Sequence, residues 1–259
     1  MANPFTRGTS GPAGPWDPRN PNRNTASAGE RWQRFTRRWS NTWRMNGPNM
    51  TQVLVALNVL IFLVDSLLRF FPRLSNIFLS YTVLVPNFAY MRPWTLLTTA
   101  FLHGGILHIL MNMLSLYFVG KELEKMLGHW AFLSMYLVSA IGANVVYALW
   151  PGMGMVPAVG ASGAIYGLFA AMMTVYNRIG ARSQSTLVLL FFLLVVPIFF
   201  GNVAWQAHLG GFVTGGALSL LMMHGLPALR TASIHKRMSI YGSALTVLLL
   251  GVWVAAAFI

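Results

Sequence analysis

The chain has 259 residues, 56% of them hydrophobic and 9% charged, and apolar runs of about 20 residues recur along most of it. That composition excludes an ordinary soluble domain and indicates an integral, multi-pass membrane protein. The net charge of +13 comes from 18 Lys and Arg against 5 Asp and Glu, but eight arginines precede residue 45, so no nucleic-acid partner is indicated. Cysteine is absent, which excludes a disulfide framework, a thiol nucleophile and a Cys-ligated metal.

Residues 1–46 are rich in Pro, Gly, Asn, Ser and Arg, too polar to build a core, and read as a largely disordered basic tail. Within it, Trp32, Phe35, Trp39 and Trp43 recur at helical spacing among Arg31, Arg34, Arg37, Arg38 and Arg44. This pattern suits a helix lying on an anionic leaflet, and equally a solvated basic tail. An amphipathic mitochondrial presequence fits its Pro and Gly content badly.

Seven spans are predicted, at 51–70, 103–120, 130–149, 161–178, 185–201, 203–223 and 239–258. The domain reading follows: the tail, a six-helix core over 47–223, and a loop with a seventh helix over 224–259. A cytoplasmic N-terminus puts Lys121, Lys125, Arg178, Arg182, Arg230, Lys236 and Arg237 inside and only Arg69, Arg73 and Arg92 outside. This satisfies the positive-inside rule and leaves the C-terminus outside. Residues 71–102 are too apolar for a solvated connection. With Phe78, Tyr81, Phe88, Tyr90 and Trp94, they are expected to lie partly in the outer leaflet.

Polar side chains within spans are costly to bury, so Ser162, His208, His108 and Asn112 must face the protein interior or water. The second, fourth and sixth spans run in one direction and carry these residues near their starts, at similar depth for a rise of about 1.5 Å per residue. His108 and Asn112 share one helix face by their spacing of four, as do Ser162 and Tyr166. Gly163 and Gly167 follow Ser162, and Gly211 and Gly215 follow His208, in the small-xxx-small pattern that brings helices close. Gly215 lies seven positions after His208 and so points within about 20° of its direction, toward the fourth span. A side chain at Gly215 should therefore force the helices apart, whereas Gly225 should tolerate Ala.

A lone serine in a membrane helix ordinarily bonds back to its own helix, and a lone histidine is ordinarily structural or a proton relay. The coincidence of Ser, two His and Asn at one depth points instead to a hydrolase. Neutral His208 would accept the Ser162 proton as the hydroxyl attacks a carbonyl. The Ser162 backbone N–H, the Asn112 amide and the His108 ring would then face the oxyanion. Of the five acids, Asp17 and Glu30 lie in the tail and Glu122 and Glu124 at the far end of the second span. Asp65 remains, either orienting His208 or serving as a local partner of Arg69. The second use is the simpler, so a Ser-His dyad is expected.

These residues resemble the rhomboid intramembrane serine proteases. "HGGILHILMN" is similar to the family's second-span pattern, with His103, His108 and Asn112. "GASG" followed by Tyr166 is similar to its nucleophile motif, and "AHLGGFVTG" to its sixth-span motif. The resemblance covers about residues 51–223, and the appended seventh helix matches one subgroup. It implies an all-α polytopic bundle, Ser162 as nucleophile, His208 as base, and His108 and Asn112 at the oxyanion. It also implies that Tyr166 packs on His208, that Gly160, Gly163, Gly211, Gly215 and His103 support the site, and that Glu124 is a structural acid at the inner end of the second span. No metal or other cofactor is implied. The implied partners are the bilayer and single-span membrane substrates, cut in or near the span where small residues let the helix open; the implied location is a bacterial plasma membrane. One departure stands out: the family often has Trp-Arg in the first loop, where this chain has Trp94-Thr95, so any hydrogen bonding from that arginine is expected to be missing. The competing readings are a catalytically inactive relative that binds membrane clients, and a transporter or proton channel relaying protons through the histidines.

Overall fold

The computed structural model describes residues 49–178 and 203–258. The predicted tail at 1–46 with its amphipathic stretch, and the predicted fifth span at 185–201, lie outside the described residues. The other six spans are each a helix. They are α1 Asn49–Leu68, α5 Ile106–Leu127, α6 His129–Ala148, α7 Ser162–Arg178, α8 Trp205–His224 and α9 Ile234–Ala255. Between α1 and α5 lie three short helices, α2 Pro72–Thr82, α3 Pro86–Ala89 and α4 Thr95–Thr98, followed by a 3-10 turn. The only β pairing among the described residues is the single antiparallel bridge between Leu84 and Ala158. The fold is an all-α polytopic membrane bundle.

Four of these helices, α1, α5, α6 and Ile234–Phe258, are long and apolar enough to cross a membrane. α7, at 17 residues, is shorter than these, and both α7 and α8 are rich in small residues that meet protein neighbours. In α7 every residue from Gly163 to Met172 is buried, so its glycines and alanines meet other helices on all sides. α8 packs chiefly on α7 and α6. The spanning segments of α1 and α9 are only 22% and 17% buried, against 67% for α6, which makes α1 and α9 the lipid-facing periphery.

Helix α5 runs seven residues past its predicted end at 120. Hydropathy fades at Lys121, but the helix continues through the Lys125–Glu122 pair at 3.2 Å and stops at Gly128, whose φ of 80° favours glycine. That extension carries Glu124 to the start of α1. Its carboxylate accepts from Met50 N at 2.7 Å, Thr51 N at 2.8 Å and Thr51 Oγ1 at 2.6 Å, and pairs with His129 Nδ1. A buried acid from another helix thus satisfies the orphan amides of the α1 N-terminus and faces its positive dipole end. Glu124→Ala would strand these donors without water, a loss on the order of 3 kcal/mol. The expected result is a clear fall in the melting temperature of the protein in detergent, with Glu124→Gln, which keeps acceptor oxygen, falling less; equal melting of wild type and Glu124→Ala would contradict it.

Candidate active site

The site is built at the opposite end of the bundle from Glu124. Residues 154–161 approach it along the α2–α4 loop, which fixes their backbone. Asn87 N donates to Gly154 O at 2.9 Å, Ala158 N to Leu84 O at 2.9 Å, and Gly160 N to Thr99 O at 3.0 Å, while Thr99 Oγ1 donates to Ala158 O. Gly160 then turns with φ 131°, a conformation side chains rarely adopt, and α7 begins at Ser162. Ser162 therefore sits at a helix N-terminus, where backbone N–H groups point outward.

From α8, His208 places Nε2 2.8 Å from Ser162 Oγ. Its ring stacks on Tyr166, one turn after Ser162, with centroids 4.0 Å apart and planes 17° from parallel. Among the described residues no group hydrogen-bonds His208 Nδ1. Asp65 is not directed to it: one carboxylate oxygen accepts from Arg69 Nη2 at 2.8 Å, just past the end of α1. Among the described residues, no carboxylate contacts the His208 ring.

His108 faces the same space from α5. Its Nδ1 accepts from Gly104 N at 3.4 Å, an arrangement that leaves the ring proton on Nε2. The position a Cβ at residue 160 would occupy lies 2.9 Å from that Nε2 and 3.7 Å from Ser162 Oγ. Gly160 thus leaves open a small space between the two. Asn112 donates one Nδ2 hydrogen to His108 O at 3.0 Å, keeping both residues on one face of α5. His103 is buried, with its ring edge-on to His108 at 5.2 Å. Beside Ser162 lies a cavity of about 10 Å³ lined by Ala100, Ala143, Asn144, Gly160 and Ala207.

The glycines hold α7 against α8. A Cβ at Gly211 would overlap the Gly163 carbonyl, and one at Gly215 the main chain of Gly167. One at Gly163 would meet Ala143 Cβ at 2.5 Å and Ala207 O at 3.3 Å. One expectation needs correction. Gly225 does not tolerate Ala, because a Cβ there would overlap the Tyr241 hydroxyl and Leu221 O. Within the loop, Arg92, two residues before Trp94, donates to Ser80 O and covers the Tyr81 ring at 5.0 Å, and Trp94 Nε1 donates to Tyr81 O at 2.7 Å. Thr99 and the Leu84–Ala158 bridge were not foreseen, since a threonine in "TLLTTAF" carries no signal of its distant partner.

Of the expected site residues, the structure brings together Ser162, His208, Tyr166, His108, His103 and the four glycines; the Asn112 amide bonds to His108 O of its own helix, and Glu124 lies at the other end of α5. A family model described as Rhomboid domain matches residues 90–225, just over half of the chain. RHOMBOID-like protein 5 of Arabidopsis thaliana is 34% identical over 137 residues, covering 50% of this chain and 44% of that protein. RHOMBOID-like protein 2 of the same plant is 34% identical over 152 residues, covering 53% and 46%. Rhomboid protease GluP of Bacillus subtilis is 32% identical over 129 residues, covering 47% and 24%. The matched stretch spans less than half the length of each of these relatives. With the family match lying across the segment that holds the Ser162–His208 pair, the chain belongs to the rhomboid family.

Proposed function

We propose that this protein is an intramembrane serine endopeptidase that cuts single-span membrane proteins within or near their spans through a Ser162–His208 dyad. The observation that carries the reading is the 2.8 Å contact between Ser162 Oγ and His208 Nε2 on helices packed through glycines. As Oγ attacks the carbonyl carbon, its proton passes to Nε2. The same proton then goes to the departing amine, leaving an acyl-serine. A water repeats the transfer in reverse, giving up its proton to Nε2 and restoring Ser162 as the new carboxyl leaves. Tyr166 holds the imidazole ring by stacking, so no acid is required to fix its plane.

The negative oxygen needs donors already in place. The open space beside Gly160 suits it, with the His108 Nε2–H about hydrogen-bond distance away and the α7 N-terminus adding its dipole. Asn112 keeps a second amide hydrogen beyond the one given to His108 O. Its loss is expected to lower kcat about 10²-fold with KM nearly unchanged. Kinetics of Asn112→Ala on a span-embedded reporter measure this; a change confined to KM would assign the amide to substrate binding.

The alanine-lined cavity beside Ser162 favours small side chains next to the cut. A helical peptide bond is shielded by its own hydrogen bonds, so residues such as Gly that weaken the helix favour cleavage. Basic residues gather at the end of the bundle away from Ser162, including Lys121, Lys125, Arg178, Arg230, Lys236 and Arg237. By the positive-inside rule the site then opens toward the outer face, where water reaches it, and a bacterial plasma membrane is the setting proposed. The test is to incubate the purified protein with a panel of single-span reporters and map any cut by mass. Reporters captured but left whole would support a client-binding relative instead, and cleavage that survives Ser162→Ala would overturn the dyad.

A further inference from the structure

The family match ends at residue 225, so nothing in it accounts for α9. Most of α9 is written for lipid, with Val247, Leu248, Val252 and Val254 exposed. Met238, Tyr241 and Gly242 are buried in its first half, and in its second half Trp253 is only 4% exposed, in the same buried cluster as Leu84, Ala89 and Ala158. Its ring lies parallel to Tyr90 with centroids 4.6 Å apart and planes 6° from parallel, and Tyr90 Oη donates to Trp253 O at 3.2 Å. Tyr90 follows Ala89 at the end of α3, in the loop whose Leu84 and Thr99 hold Ala158 and Gly160. A helix held only by lipid and by its neighbours' flanks has no need of a buried tryptophan at the site end.

We infer that Trp253 is a positioning residue, a latch by which the seventh helix holds the 84–99 loop against the segment that delivers Gly160 and Ser162. Parallel offset rings of this kind add attraction beyond their buried area and resist sliding. Releasing them frees the loop, and with it the backbone that sets the nucleophile and the space beside Gly160. The effect on cleavage rests on the protease reading above, whereas the effect on backbone protection does not.

Amide hydrogen exchange and reporter cleavage on the full chain in lipid nanodiscs together test the latch. Trp253→Ala is expected to speed exchange of the 154–161 segment about tenfold, almost a hundred residues away in sequence. It is also expected to lower kcat about tenfold with KM within about twofold, as small misplacements of reacting groups do. Trp253→Phe, which keeps a ring to stack, should restore both. Tyr90→Ala, made in a half-exposed loop residue, should reproduce both losses, and the double variant should be no worse than either single one. Unchanged exchange in both single variants, or losses that multiply, would overturn the latch, and so would faster exchange with unchanged kcat. A wild-type protein that cuts no reporter tells against the protease reading alone, and the exchange result then decides the latch.

Discussion

Ser162→Ala and His208→Ala are each expected to abolish cleavage, by on the order of 10⁴- to 10⁶-fold, and the double variant is expected to be no worse than either. Without the hydroxyl there is nothing for His208 to deprotonate, and without the imidazole the serine stays protonated and a poor nucleophile. Two groups that perform one proton transfer cannot lose their contributions twice. If the two losses multiplied, each residue would be acting alone, and the 2.8 Å contact would be structural. An acylating reagent that mimics the scissile carbonyl should label Ser162 in the wild type and not in His208→Ala. Label on Ser115 or Ser139 would move the nucleophile to another helix.

The pair was legible in the sequence because a membrane helix turns residue number into depth and angle at once. Ser162 is the first residue of α7, His208 the fourth of α8 and His108 the third of α5, on helices that run in one direction. Equal depth and facing glycines then bring them together with few alternatives. Tyr166 follows from the same periodicity, one turn along the Ser162 face.

What escaped the sequence has no period to betray it. The clamp on residues 154–160 is made of backbone carbonyls and amides, which every residue carries, so neither Leu84 nor Ala158 is marked by its type. Arg92 was counted only as an outer-side charge, since its contact with the Ser80 carbonyl depends on how α2 and α4 fold back on each other. The length of α5 was misjudged because hydropathy reports where lipid ends, whereas the helix runs to Leu127, seven residues beyond its predicted end, and is stopped by Gly128. Gly225 was misjudged because, besides the Leu221 carbonyl, its conflict is with Tyr241 on a different helix, a neighbour that spacing along α8 does not reveal.

Gly215→Val is expected to destroy activity, by at least about 10²-fold, although Gly215 touches neither substrate nor dyad. The cause is the kind of atom it would meet. A Cβ at Gly215 overlaps the Cα, carbonyl carbon and oxygen of Gly167, and main-chain atoms in the middle of a helix have no rotamer to which they can retreat. α8 must therefore move away from α7, and His208 moves with it from Ser162. Because the first added carbon already clashes, Gly215→Ala should lose activity too, about tenfold, and both variants should melt earlier in detergent by the 1–3 kcal/mol typical of overpacking, roughly. The adjacent Gly216 supplies the control. A Cβ there meets Ala170 Cβ at 3.5 Å, an ordinary contact, so Gly216→Ala should stay within about twofold of wild type and gain slightly in helix propensity. Turnover and melting of the three variants side by side separate the two positions. A Gly215→Val protein with wild-type values of both would mean that close approach of α7 and α8 is not what holds the serine and histidine together.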